Sequence, residues 1–461
     1  MPSKKARLTE IEPHEIGVPR DLPTIPATEY RRRLDATYAA MDARGLDALA
    51  VYGDREHFAN TAFLTGFDPR YEESLMILIP GRTPMILVGN ENVAYASIAP
   101  YPIDVVRQSK FSLNGQPDPD DRTLDELLNE SGIAGPSVRT IGTAGWKIPA
   151  GRGTGGWNEL PHFIVAALQR FGTVENATDL FVGPGSGLRL RNDVNQIAYF
   201  EFAASHGSAA MERLIGGIQP GMTELEASSL LQPIMLPFNY HPTMLGGARN
   251  TGFGVASPGG RALVEGDPVA AGIGYWGSNT ARAGFLVADH AELPADAADY
   301  VERLVAPYYE TAAAWYETIR IGLTAGELFE VTASRLSDPF YGVFLNPGHY
   351  IHLDEWPSSP VRADSPVVFE SGNAVQLDII PGTGTSYHTA QIEDGVVLAD
   401  AVLRERLKSL YPDAWTRIQA RRSRLANVFG IDLNDDVLPL SNTAGYFPPF
   451  WLAPNRAMVM A

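Results

Sequence analysis

The 461 residues exceed what one hydrophobic core usually serves, so at least two domains are expected. Apolar residues at 45% and charged residues at 20% exclude a disordered chain, and no run of about 18 apolar residues marks a membrane span. A net charge of −18 argues against nucleic-acid binding and suits a small neutral or cationic substrate, while the absence of cysteine excludes disulfides, thiolate metal sites and a cysteine nucleophile and fits a cytoplasmic setting.

The stretch MPSKKARLTEIEPHE has basic residues with no apolar core after them, so residues 1–27 read as a loose arm and not as a secretory signal. The first domain is predicted over 28–185. Tyr30, Leu34, Tyr38 and Met41 follow at helical spacing, with Thr28 as a possible N-cap and Gly45 as the stop. Strand-like runs follow at 46–52, 75–80, 85–88, 105–107 and 138–141, and an amphipathic helix at 160–171. Strands mixed with helices indicate an α/β domain. The glycine-rich 142–157 matches neither a P-loop nor a dinucleotide fingerprint, so Gly151, Gly153, Gly155 and Gly156 read as a surface loop.

A boundary falls near 183–192, and the second domain is predicted over 186–410. A long helix runs from Asp193 to about Ile215, with Ile197, Phe200, Ala204, Met211 and Ile215 on one side. Gly207 and Ser208 leave a gap in that stripe where another element can approach. The segment Ile218-Gln-Pro-Gly221-Met-Thr223-Glu-Leu225 is echoed by Ile319-Arg-Ile-Gly322-Leu-Thr324-Ala-Gly326-Glu327-Leu328. Each copy follows a long helix and carries a threonine able to cap the next, which suggests a duplicated half-domain with a pseudo-two-fold axis. Strands are predicted at 263–275, 280–288, 374–380 and 389–399, with a helix from Ala401. The extension 411–461, rich in Pro, Phe and Trp near its end, is expected to pack on the surface or on a second subunit.

Within the second domain, Asn346 to Pro360 reads NPGHYIHLDEWPSSP and sets His349 and His352 beside Asp354 and Glu355. Pro347, Gly348 and Pro357 prevent a regular element there, and irregular backbone of this kind commonly carries function.

Two separated blocks resemble the pita-bread superfamily of creatinase, aminopeptidase P, prolidase and methionine aminopeptidase. EYRRRLDATYAAMDARGLDALAVYGDREHFANTAFLTGF is similar to the start of a creatinase-type N-terminal domain, and RNDVNQIAYFEFAASHGSAAMERLIGGIQPGMTELE to the first helices of the catalytic domain. The resemblance implies a mixed α/β (α+β) architecture, in which a creatinase-type N-terminal α/β domain precedes a pseudo-two-fold pita-bread domain. It also implies a homodimer, which the aromatic tail could seal.

Metallopeptidases of that superfamily hold two divalent ions with two aspartates, one histidine and two glutamates. By resemblance the histidine is His349, and the two glutamate positions fall at Asp378 and Glu393. The first aspartate position falls at Gly272 or Ala271, and the second at Asn279. Losing two anions leaves too little negative charge for two dications, so no two-metal site and no cofactor is expected. A single zinc, manganese or iron ion on His349, Asp378 and Glu393, with Asn279 nearby, is the alternative.

Without metal, His349 or His352 could act as general base, with Asp378 and Glu393 holding the substrate. Asp354, Glu355, Arg282, Tyr275, His388 and His241 are the further substrate-binding candidates. The leading expectation is a metal-independent hydrolase or lyase of the creatinase branch, cleaving a C–N bond in a small amidino, ureido or amide compound. A single-metal Xaa-Pro aminopeptidase or dipeptidase, and an inactive metabolite-binding member, are the alternatives.

Overall fold

The computed structural model describes residues 4–12, 15–149 and 156–461. Gly151, Gly153 and Gly155 of the glycine-rich stretch lie outside the described residues. The chain divides into two compact units, one of residues 25–190 and one of residues 1–24 with 191–461.

The first strand, β1 (Ala6–Glu10), belongs to the larger unit. It pairs antiparallel with the last strand, β15 (Arg456–Met460), so the expected loose arm is instead half of a two-stranded sheet.

The 25–190 unit opens with helix Ala27–Arg44. Gly45 closes it in the left-handed conformation, φ 73°, while the residue before the helix is Pro26 and no side chain caps it. Thr28 therefore lies inside the first turn rather than at the cap. Its sheet comprises β2 (Ala48–Gly53), β3 (Ser74–Leu78), β4 (Met85–Val88), β5 (Asp104–Arg107), β6 (Thr140–Ala144) and β7 (Thr173–Asn176), in the order β5-β4-β3-β2-β6-β7. The strands β2, β3 and β4 are buried throughout, which is why their sequences read as continuous apolar runs. Helix His162–Leu168 packs Ile164, Ala167 and Leu168 into the same core as Leu127, Leu128 and Ile133. The strand β7 was not predicted, because Thr173–Asn176 carries a single apolar residue and is only partly buried.

The larger unit is built on helix Val194–Gly217. Asp193 caps it by accepting from the Gln196 N–H, and the predicted stripe Ile197, Phe200, Ala204, Met211 and Ile215 is buried. Its main sheet contains β8 (Thr243–Gly246), β9 (Pro268–Tyr275), β10 (Ser278–Phe285), β11 (His349–Tyr350), β12 (Ala374–Asp378) and β13 (Gln391–Leu398). The order is β11-β12-β13-β10-β9-β8, all antiparallel, and β14 (Val437–Pro439) also pairs with β13.

The repeated segments fold alike. Thr223 and Thr324 each form a capping box, with Glu226 and Glu327, at the start of helices Glu224–Ser229 and Ala325–Arg335. Gly221 and Gly322 are both left-handed, at φ 92° and 86°, and their N–H groups donate to Leu263 O and Phe369 O respectively. The same local chemistry thus recurs in both halves of the unit.

The C-terminal segment is interior to this unit. Phe447, Phe450 and Trp451 are buried, β14 extends the main sheet, and the backbone carbonyls of Thr443 and Tyr446 accept hydrogen bonds from Arg282. Arg417 and Arg421 of helix Pro412–Asn427 bind the buried Glu201 carboxylate of the long helix. Residues 411–461 thus complete a core, where an outer layer was expected. Among the described residues, no helix is long and apolar enough to cross a membrane.

Candidate metal centre

Register places the candidate side chains. Directly paired residues on neighbouring strands point to the same face, and so do residues two apart on one strand. One cross-strand row runs Thr243, Gly272, Ala281, Glu393, Asp378. Beside it lie Gly274 paired with Asn279, and Gly395 paired with Gln376, which in turn pairs with His349. His349, Gln376, Asp378, Glu393 and Asn279 therefore share one face of the sheet. The residue of that row on β9 is Gly272, whereas Ala271 pairs with Arg282 on the opposite face.

Gly348, at φ 137°, lets the chain turn into β11: a Cβ there would meet Gln376 O at 2.9 Å and the Trp315 indole at 3.2 Å. His349 follows and is fully buried. Its ring stacks on Trp356, centroids 4.0 Å apart and 15° from parallel. Its Nδ1 lies 2.9 Å from the Tyr350 carbonyl oxygen. A carbonyl only accepts, so Nδ1 carries a proton, and in the neutral ring Nε2 presents the lone pair.

That Nε2 faces acid on three sides: Glu355 Oε1 at 3.4 Å, Glu393 Oε1 at 3.8 Å and Asp378 Oδ2 at 3.9 Å. Among the described residues, neither His349 Nε2 nor Asp378 Oδ1 has a hydrogen-bond partner. Ligand atoms of His349, Asp378 and Glu393 lie within 4.8 Å of one another. Burial first, then the charge of Glu393, raises the Asp378 carboxyl well above the usual carboxylate range. Burial first, then Glu355, does the same to Glu393. The cluster is thus short of positive charge, which is the condition a cation relieves.

Neutral amides frame it. Asn279 Nδ2 donates to Glu393 Oε1 at 2.7 Å, and Gln376 Nε2 donates to the Asn279 carbonyl at 2.9 Å. The side-chain amide oxygens of Asn279 and Gln376 have no donor among the described residues. Tyr240 is half-buried against the same carboxylates. Desolvation first, then the charges of Glu393, Glu355 and Asp378, pushes its phenol well above its usual pKa of 10, so it stays protonated. Gln376, Gln391, whose Nε2 lies 3.5 Å from Glu393 Oε2, and Tyr240 were not singled out in the sequence. The glutamines were legible by period two, each lying two residues before an acid on its strand. Tyr240 had no such signal, because its neighbours belong to distant strands.

Other candidates lie elsewhere. Arg282 is fully buried on the opposite face, where it pairs with Asp394, away from the His349 cluster. Tyr275 stacks on Phe238, and its hydroxyl accepts from Ile234 N–H, a packing role on that same far face. His352 packs edge-on against Phe200 of the long helix, 5.4 Å between centroids, and is not part of the ligand group. His388 sits in a tight loop at φ 56°, its imidazole shifted down by burial, with Phe285 as its aromatic neighbour. The exposed His241 is bonded to Ser257, 3.0 Å away. Asp354 is half-buried outside the ligand group, while Glu355 is brought to His349.

The chain matches no protein-family model and no curated protein sequence. Solved structures do match. It is similar to the Xaa-Pro dipeptidase from Bacillus anthracis, 17% identical, covering 81% of this chain and 96% of that one with a TM-score of 0.60. The prolidase from Thermococcus sibiricus is 15% identical, covering 90% and 97% with a TM-score of 0.64. The aminopeptidase PepP of Pseudomonas aeruginosa is 14% identical, covering 94% and 98% with a TM-score of 0.59. The chain has the fold of these peptidases, the pita-bread fold that the two sequence blocks implied.

Proposed function

We propose that the protein is a hydrolase of a C–N amide bond that works with one divalent ion held by His349, Asp378 and Glu393. The observation that carries this reading is the convergence of three buried ligand groups, with His349 Nε2 and Asp378 Oδ1 lacking a hydrogen-bond partner among the described residues. One imidazole nitrogen and two carboxylates suit zinc, manganese or iron, with a position left open for water or substrate. This replaces the expectation of no cofactor and favours the metal peptidase alternative over the metal-independent one.

Charge limits the site to one ion. At an effective dielectric of about 20, two dications about 4 Å apart repel by roughly 16 kcal/mol, four times the roughly 4 kcal/mol between two unit charges. Asn279 and Gly272 add no anion to offset that.

An ion bound there would acidify water and polarise a carbonyl. The chain's own groups do the rest. The Tyr350 carbonyl and the Trp356 stack hold the His349 ring in one tautomer and one orientation. Glu355, with 29% of its side chain exposed, is the group best placed to take a proton from water at the mouth of the site. The protonated Tyr240 phenol is placed to donate a hydrogen bond to a developing oxyanion.

Xaa-Pro dipeptides are the substrates to assay first, since similar folds carry dipeptidase and prolidase names. Protein loaded with Mn²⁺ or Zn²⁺ is expected to hydrolyse at least one Xaa-Pro dipeptide, and to lose that activity on chelation and in His349→Ala. Hydrolysis that survives chelation would instead favour His349 paired with Glu355 as a metal-free base.

A further inference from the structure

The glycines of β9 leave space on the acidic face, and the segment before β8 fills it. A Cβ on Gly272 would lie 2.2 Å from the Tyr240 hydroxyl oxygen. A Cβ on Gly274 would lie 2.1 Å from Asn239 Oδ1 and 2.7 Å from the Tyr240 ring. Real side chains do not approach so closely, so only glycine at both positions admits this segment.

The segment is held there by backbone. Asn239 N–H donates to Gly274 O at 3.3 Å, Asn239 Nδ2 to Ser278 O at 3.2 Å, and Trp276 N–H to Pro237 O at 3.0 Å. Phe238 stacks on Tyr275 at 5.1 Å. Three consecutive residues, Pro237 to Asn239, are thus fixed along the edge of the hairpin β9–β10. The side chains of Asn239 and Tyr240 lie over the row that continues from Glu393 through Ala281 to Gly272.

We infer that the Asn239–Tyr240 segment is a built-in plug that occupies the half of the acidic face where a second ion and its ligands would sit. The inference rests on the reading that His349, Asp378 and Glu393 bind the first ion. A second ion about 3.5–4 Å away would need its own anions, on β9 and β10. Those strands offer Gly272, Gly274, Ala281 and Asn279 there, and the volume holds a phenol and an amide. The oxygens of Asn239 and Asn279 can accept from water or from a substrate N–H, but they carry no charge.

Two measurements test this. In thermal unfolding, Gly272→Ala is expected to lower the midpoint by about 5 °C in the parent chain. It should have a much smaller effect in a Tyr240→Ala background, because the clash is gone. Equal effects in both backgrounds overturn the plug. In native mass spectrometry with Mn²⁺, the parent chain is expected to hold one ion, and a folded Gly272→Asp, Asn279→Asp, Tyr240→Ala triple variant two. Two ions on the parent, or one on the triple variant, overturn the inference while leaving the His349 site standing. No ion on the parent overturns that site and the inference together.

Discussion

Arg282→Ala is expected to destabilise the larger unit by about 3–5 kcal/mol in urea unfolding, because it strands a fully buried carboxylate. Asp394 has two other donors, the hydroxyls of Thr443 at 3.1 Å and Thr280 at 3.5 Å, and neither is charged. Arg282 also donates to the carbonyls of Thr443 and Tyr446, so its loss loosens the C-terminal segment as well. Removing both charges with Arg282→Met and Asp394→Leu should restore part of the loss. The carbonyls would remain without their donor, so recovery should be incomplete. A change within about 1 kcal/mol for Arg282→Ala would show that the far face of the sheet tolerates a lone buried charge.

Glu393→Gln is expected to act in opposite directions on stability and on ion binding. Without an ion, Glu393 and Asp378 are buried side by side with Glu355 nearby, and the described side chains on that face include no arginine or lysine. A neutral amide removes one of the crowded acids, so the ion-free variant should melt about 2–4 °C higher than the parent. The same change deletes an anionic ligand, and Mn²⁺ affinity should fall by more than about 100-fold, the upper end of what losing a mere supporting group costs. Titration calorimetry and a thermal melt on the same sample read both effects. A variant that melts lower without ion and binds Mn²⁺ normally would mean that Glu393 is a structural acid.

Much of the fold was legible because its signals are local. The strands β2, β3 and β4 are fully buried and read as apolar runs, and the threonine caps and left-handed glycines of the repeat are set by neighbours in sequence. The ligand trio was legible through resemblance, with His349, Asp378 and Glu393 each buried on a strand. Arg282 is a substrate-binding candidate by sequence, but spacing already separates it from Asn279. Asn279 and Arg282 lie three apart on one strand and must face opposite sides. The C-terminal segment gave no such clue. Its buried Phe447, Phe450 and Trp451 lie among prolines and turns without any period, and only the long-range contacts to Arg282 and β13 make it core. Tyr240 was illegible for the same reason, since its place depends on two glycines more than thirty residues away.

Anomalous diffraction from crystals soaked in Mn²⁺ reads the metal centre directly. One peak is expected per chain, about 2.0–2.2 Å from His349 Nε2 and from a carboxylate oxygen of both Asp378 and Glu393. A map with no peak beside His349, or with its only peak among other residues, would contradict that assignment.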